Sequence, residues 1–564
     1  MTQELDPRTV DMAETKSAES TAAEQSSAKL FEDSYFDLTS ASRMKHGAQK
    51  DVDHIDLSNP FAKEPDDEWT VVVNLTADMS LPDRQNGSAA EFESLKQLAD
   101  ETRDKPISII VQKTSATENN EQKLERYILE DGRIESLPDA DSVSAAADLE
   151  SLILTAVQET ESKKIALINQ SHGMGEDGIT GDSGAASLEE IGNSIHNGLE
   201  GSEHTKLDVL DFDACSMGTD AVASAMQECT DYVVASSEKE HGEIDGLFDA
   251  QDLKSNIQRL LEDPTMDPSE FADAMVEQAR VDSTKVSENG ISGVDTLAKY
   301  DLKDYARFQS DLNTLGNTLA ESSLNPANKE EIERIIAALP AFGEFNTKLN
   351  YECDQKRDLK MFCDRLSDAI KSGRLSDENG KLETAIQKVN ASHSELVENF
   401  HGSRIRAYDQ MGGLSVFLPE LSFLDTSEGA EKSTALYRLD LSLDTLDQSR
   451  TISRTMSTLA TMTKLVENEL TQDESKVLQT AWQRLESAAA KESSDTTLRS
   501  CRNETRESMS DFKQLIESLM QSKNTAIADR LYKDGIQKQK EAALKTNLNP
   551  VNSGWNKFIQ VLDS

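Results

Sequence analysis

Ala166-Leu167-Ile168-Asn169-Gln170-Ser171-His172-Gly173 and Leu207-Asp208-Val209-Leu210-Asp211-Phe212-Asp213-Ala214-Cys215-Ser216-Met217-Gly218 decide how this chain is read. Each is a largely apolar run that ends abruptly in a reactive side chain, first a histidine, then a cysteine. Apolar runs without strict alternation mark strands buried on both faces, as in a parallel sheet. Two such runs as neighbouring parallel strands would bring an imidazole and a thiol to the same edge of one sheet. In open α/β sheets that carboxyl edge is where ligands lie.

Outward from these runs, strands alternate with helices. Residues 69–75 and 107–111 read as strands, with a helix over 91–98 between them. Asp131-Gly132 between alternating residues predicts a hairpin with a primed turn over 126–135. Helices follow at 145–158, 188–195 and 219–226, and one more strand at 231–236. The expected fold class is therefore α/β, a mostly parallel sheet flanked by helices, with a mostly helical C-terminal part. From about 246 to 400 the pattern is largely helical, with Pro264 and Pro268 marking a turn before a helix at 269–278. A late strand is expected at Gly413-Leu414-Ser415-Val416-Phe417-Leu418-Pro419.

The flanks read differently. Residues 1–65 are rich in Ser, Ala, Glu, Asp and Thr without periodicity, the composition of a disordered acidic tail. Residues 426–550 carry apolar stripes at helical spacing, for example Ile452, Met456, Leu459, Met462 and Val466, and are expected to form a helical accessory domain or insertion. Such stripes are far more often core than ligand groove.

Composition narrows the function classes. With 104 Asp and Glu against 58 Lys and Arg, the formal charge is −46 in 564 residues. That field repels nucleic acid and anionic membranes and concentrates cationic peptides. Five irregularly spaced cysteines imply neither a disulfide framework nor a zinc site. No signal-peptide pattern opens the sequence and no apolar stretch has membrane-spanning length, so the expected location is cytoplasmic, or outside the cell by a route without an N-terminal signal.

A thiol attacks carbonyls as thiolate and needs a nearby base. Cys215 closes its strand ahead of a helix expected to begin near Met217, whose N-terminus would favour the thiolate. His172 is followed by Gly173, which lets backbone approach a substrate closely. The amides of Gly173 and Cys215 are candidate donors to an oxyanion. Asp213 stands two positions before the thiol, on the same strand face. A free cysteine is usually buried and inert, so geometry alone leaves a catalytic and a structural Cys215 both open.

The order and spacing of the motifs resemble the clostripain-like cysteine peptidases, relatives of caspases, legumains, gingipains and separases. The resemblance rests on Trp69-Thr70-Val71 followed by Asp78, on Glu130-Asp131-Gly132, on the strand ending His172-Gly173, and on Phe212-Asp213-Ala214-Cys215 with Met217. Ala235-Ser236-Ser237-Glu238, Gly413-Leu414-Ser415 and Trp555-Asn556-Lys557-Phe558 extend it. It implies a caspase-like peptidase domain over 66–425, with 551–564 returning to its core. It further implies Cys215 as nucleophile, His172 as general base and Gly173 at the oxyanion. The family usually cleaves after Arg, sometimes Lys, with acids beneath the specificity pocket. Asp213 occupies one such position, and Glu243 and Asp245 are candidates for a second.

The chain departs from the family pattern in three places. His241-Gly242-Glu243-Ile244-Asp245-Gly246 stands where relatives often carry Pro-Gly and an aromatic, which bears on pocket shape; His241 reads as a solvated loop residue. Between Gly173 and Ala214 the only basic residue is Lys206, at the start of the Cys215 strand, so no self-cleavage is expected there. The stretch 426–550 interrupts the common core and is a candidate surface for a protein partner. The chemistry requires no cofactor and no metal is assigned. Some relatives depend on calcium, which so acidic a chain could bind, but no D-x-D-x-D-G loop supports a specific site. The competing readings are a catalytically weak or inactive caspase-like scaffold, and a cysteine acyl transferase or amidase acting on a small molecule.

Overall fold

The β-branched and apolar runs form the centre of one large sheet. A computed structural model describes residues 67–76, 87–116, 122–181, 183–238, 240–241, 251–282, 286–287, 290–291, 293–294, 296–340, 342, 356–402, 408–418, 476, 479–480, 483 and 551–563. Its main strands are β1 (Asp67–Leu75), β2 (Ile107–Ala116), β3 (Gln122–Glu130), β4 (Arg133–Ser136), β5 (Ser162–Gln170), β6 (Leu207–Asp213), β7 (Thr230–Ala235), β8 (Thr296–Asp301) and β9 (Val397–Gly402).

They lie in the order β9-β8-β7-β6-β5-β1-β2-β3-β4. The five central strands, β7, β6, β5, β1 and β2, are mutually parallel, with Val72 opposite Leu167 and Leu167 opposite Leu210. The outer strands on both sides run antiparallel. Because β2 lies on one side of β1 and β5 on the other, the winding reverses between β1 and β5. Crevices open at the carboxyl ends of such switch points, and β5 and β6 end beside this one.

Alternation along each strand divides the core into two layers. Val72, Ile110, Leu167, Leu210 and Val233 face one layer, and Val71, Ile109, Ile168, Val209 and Val234 the other. The first layer is closed by α2 (Ala145–Glu159), α3 (Leu188–Gly198), α4 (Asp220–Met226), α7 (Tyr305–Ser322), α8 (Pro326–Ala338), α9 (Leu359–Lys371), α10 (Lys381–Leu396) and α11 (Ser553–Asp563). The second is closed by α1 (Gly87–Lys96), α5 (Leu253–Glu262) and α6 (Pro268–Asp282). A mostly parallel sheet flanked by helices is thus observed, as the patterning requires. Asp131 and Gly132 have φ of 47° and 75°, so the β3–β4 connection is the primed turn that Asp-Gly favours.

Two strands were not legible in the sequence. β8 and β9 fall in a stretch that reads as helical, and they extend the sheet antiparallel beyond β7. Lys299 breaks the apolar run of β8, yet its ammonium is buried and pairs with Asp273 (2.9 Å) and Glu398 (2.8 Å). β9, Val-Glu-Asn-Phe-His-Gly, directly continues α10 and is too polar to announce itself. The expected strand at 413–419 shortens to Ser415–Phe417 and pairs outside the main sheet with Lys356–Asp358. Asp358 Oδ2 accepts from the amides of Gly412 (2.8 Å) and Gly413 (2.9 Å), and Gly413 has φ of 90°, so the chain turns there instead of pairing.

The expected tail over 1–65 and nearly all of the expected helical region over 426–550 lie outside the described residues. α11, beyond that region, packs on α7 and α9. Trp555 meets Phe362 edge-on and donates from Nε1 to Phe417 O (3.0 Å).

Candidate active site

β5 and β6 run out together, with Gln170 opposite Asp213, and the amide of Ser171 donates to Asp213 O at 3.2 Å. Beyond Ser171 the chain enters a small antiparallel hairpin in which His172 pairs with Thr180 and Gly173 with Ile179. This hairpin carries the histidine segment onto the cysteine segment. A Cβ added to Gly173 would collide with the carbonyl oxygen of Cys215 and lie 2.9 Å from Met217 Cγ. The two motifs therefore meet backbone to backbone, an approach that only glycine permits.

The cysteine segment is held from the other side by β7 and by the late glycine-rich turn. Ser216, at φ of 59°, donates its amide to Glu238 O (2.9 Å), and Gly218 donates to Ser236 O (2.6 Å). Gly218 O accepts from Ser237 Oγ (2.6 Å), Ser415 Oγ (2.9 Å) and the Ser415 amide (3.0 Å). The Gly413-Leu414-Ser415 motif thus clamps the loop that follows the thiol. Cys215 and His172 are both half-buried, accessible at the rim and held by the core.

The surroundings of the thiol differ from expectation. α4 begins at Asp220 with Thr219 as its N-cap, whose Oγ1 accepts from Val222 N at 3.1 Å. The helix start is thus several residues past Cys215 and already capped, and it carries an acid in its first turn. Instead, the amide of Glu240 donates to Cys215 Sγ at 3.4 Å. The same sulfur lies 3.9 Å from Glu240 O, so the backbone of residue 240 offers it both a donor and an acceptor.

At the carboxyl end of β6, on the second-layer face, lies a group of carboxyls, buried except for the half-buried Glu240. Asp213 accepts from Gln170 Nε2 (2.9 Å) and shares a hydrogen bond with the Glu240 carboxyl, which also accepts from Gln251 Nε2 (3.1 Å). Burial pushes Asp213 up to about 6, with the bond from Gln170 opposing. Glu240 is raised well above the usual carboxylate range by burial, then by the charges of Asp213 and Asp211. Asp211, fully buried one strand repeat behind, is raised by the same two causes, burial and Asp213. Glu91 on α1 is 1% exposed, has no hydrogen-bond partner for either carboxyl oxygen, and is raised to about 8 by burial and by Asp213 and Asp252. Among the described residues, no cation contributes to the shifts of these four acids.

His172, Gly173, Asp213 and Cys215 are brought together. Glu243, Asp245 and all but the backbone of His241 lie outside the described residues. Glu240 was missed: among Glu238, Glu240, Glu243 and Asp245, sequence offers no means of choosing which acid turns inward. Glu238 turns elsewhere, accepting from the Tyr408 hydroxyl. Gln170 could have been found, since equal run-lengths from the two reactive residues place it opposite Asp213.

The sequence profile of the clostripain family matches residues 91–422, more than half of the chain. The chain belongs to the clostripain family. As a member it is a cysteine-type peptidase, acting on peptide or protein substrates. Structural likenesses are more distant. A secreted C11 cysteine protease from Bacteroides thetaiotaomicron, bound to an irreversible peptide inhibitor, is 12% identical at a TM-score of 0.44, covering 65% of this chain and 95% of that one. An inactive zymogen C11 protease from Parabacteroides distasonis is 15% identical at 0.44, covering 64% and 94%. No curated protein matches the chain significantly. Among the described residues of this clostripain-family chain, no group of three or more His, Cys, Asp or Glu is arranged to hold a metal ion. No helix among them is long and apolar enough to cross a membrane.

Proposed function

We propose that this peptidase is an endopeptidase with a Cys215–His172 dyad, cleaving after Arg in preference to Lys. The Cys215 thiolate attacks the scissile carbonyl while the protonated His172 passes its proton to the leaving amine, so the C–N bond breaks and a thioester forms. Water, deprotonated by His172, then attacks the thioester, and the thiol is regenerated with release of the new carboxyl terminus. We assign the Gly173 amide to the developing oxyanion, a role supported by the contact of this residue with the Cys215 backbone.

The observation that carries the reading is the backbone contact between Gly173 and Cys215, which supports a dyad formed by the thiol and the histidine next to that glycine. The basic preference is supported by the Asp213–Glu240 pair. Two carboxyls sharing a proton in a buried site suit a cation that arrives as the proton leaves. A planar guanidinium presents a fork of donors that matches both oxygens of one carboxyl while reaching the other, a geometry that the compact ammonium lacks.

The test is profiling on fluorogenic peptides ending in Arg, Lys and Asp, beside labelling by an Arg-ended acyloxymethylketone. Turnover on Arg peptides that vanishes in Cys215→Ala, with labelling that vanishes in His172→Ala, is expected. Labelling and turnover absent from the native protein would favour an inactive scaffold, and turnover on Asp peptides alone would refute the basic pocket.

A further inference from the structure

The face of the sheet opposite the acids carries a row of polar side chains. Arg126, Gln112, Asn74 and Asn169 are register partners across β3, β2, β1 and β5, and each is buried. Arg126 Nε donates to Gln112 Oε1 (2.8 Å), and Gln112 Nε2 donates to Asn74 Oδ1 (3.0 Å). Asn74 Nδ2 donates to Asn169 Oδ1 (2.8 Å), and Asn169 Nδ2 to Ser171 Oγ (2.9 Å).

The direction of this chain is fixed by chemistry. A guanidinium has donors only, so Gln112 must turn its oxygen toward Arg126 and its NH2 toward Asn74. The same constraint passes to Asn74 and then to Asn169. One charge thereby sets three amides, and four hydrogen bonds point the same way, each polarising the next. The terminal guanidinium nitrogens of Arg126 donate to Thr155 Oγ1 (2.8 Å) and Ser151 Oγ (3.0 Å), both neutral. Asp148 acts on it only through space. The chain's dipoles, rather than an ion pair, compensate the buried charge.

A row of amides across a parallel core is an expensive way to fill space that Val and Leu fill elsewhere in the same strands. Its end explains it. Ser171 immediately precedes His172, its hydroxyl accepts the last link, and its amide donates to Asp213 O on the cysteine strand (3.2 Å). That one residue is gripped from β5 through its side chain and from β6 through its backbone.

We infer that Arg126, acting through Gln112, Asn74 and Asn169, is a positioning residue that fixes Ser171 and thereby registers His172 against Cys215. The inference rests on His172 being the base. Native protein, Ser171→Ala, Arg126→Met, Arg126→Lys and His172→Ala are compared for kcat and KM on an Arg-ended peptide, and for the pH dependence of Cys215 alkylation by iodoacetamide.

Ser171→Ala and Arg126→Met should lower kcat by about 10- to 100-fold with KM within about twofold, because a misplaced base impairs chemistry rather than binding. Their alkylation profiles should move toward that of His172→Ala. Arg126→Lys keeps charge and donor and should recover much of kcat. The inference is overturned if Ser171→Ala keeps native kcat and the native alkylation profile, or if Arg126→Lys is as impaired as Arg126→Met. Should Arg126→Met not fold, Ser171→Ala at the accessible end of the row still decides. Failure of the underlying dyad would look different: His172→Ala itself would retain native turnover and alkylation.

Discussion

Single residues set the chemistry here through closeness and burial. Gly173 leaves no room for a Cβ against Cys215 O. Gly173→Ala should therefore push the histidine hairpin off the cysteine loop and reduce kcat/KM by about 100-fold or more, a displacement of an ångström being enough. A cooperative thermal melt close to that of the native protein would show that the loss is local. In the pocket, Asp213→Asn removes a carboxyl that would face the guanidinium and leaves Glu240 with a neutral partner. For Arg-ended peptides a rise in KM and a fall in kcat/KM of at least ~30-fold are expected, the size of breaking a buried charge pair. Glu240→Gln should do the same, whereas Glu238→Gln, whose carboxyl is engaged by Tyr408, should leave the Arg-to-Lys ratio unchanged.

At the scale of elements, the sheet edge and one distant helix pair are fastened by close backbone contacts. Gly316 of α7 and Gly554 of α11 face each other so closely that a Cβ on Gly316 would lie 2.5 Å from Gly554 O. Gly316→Val should therefore lift α11 and its Trp555 from the core and lower stability by about 1–3 kcal/mol in urea melts. An unchanged midpoint would mean that α11 is not a fixed part of the core. Ser237, Ser415 and Tyr300 converge on Gly218 O and Gly413 O, with Tyr300 Oη donating to Gly413 O at 2.6 Å. The late strand is thus less a strand than a clasp on the cysteine loop.

For the whole molecule, the buried acids make stability depend on pH in an unusual sense. Glu91, raised to about 8, and Asp213, raised to about 6, hold protons when folded that the unfolded chain releases near its ordinary carboxylate range. The folded state binds more protons, so stability falls as pH rises from about 5 to 8, by about 1.4 kcal/mol per pH unit for each group protonated only when folded. Below the unfolded pKa the two states bind equally and the slope vanishes. Glu91→Gln should flatten this fall and raise Tm at pH 8; a melting profile identical to the native one across pH 5–8 would contradict the assignment. Maturation is a second property of the whole chain. Lys206 leads into β6 and its ammonium donates to Gln227 O at 2.7 Å, so cleavage after it would open the central sheet. Intact-mass spectra of active protein should show no cut between 173 and 214.

Much of this was written in the sequence because it depends on local pattern. The apolar runs ending in His172 and Cys215, the Asp131-Gly132 turn and the helices between them follow from burial on two faces and from backbone preference, which act over a few residues. What tertiary structure alone decided is which polar groups meet. Glu240 rather than Glu238 joins Asp213, Lys299 finds two carboxylates and so lets β8 enter the sheet, and the thiol takes an amide from residue 240 rather than a helix end. These outcomes depend on cross-strand register and on how each charge is compensated once water is removed, and residues far apart in the chain supply that compensation.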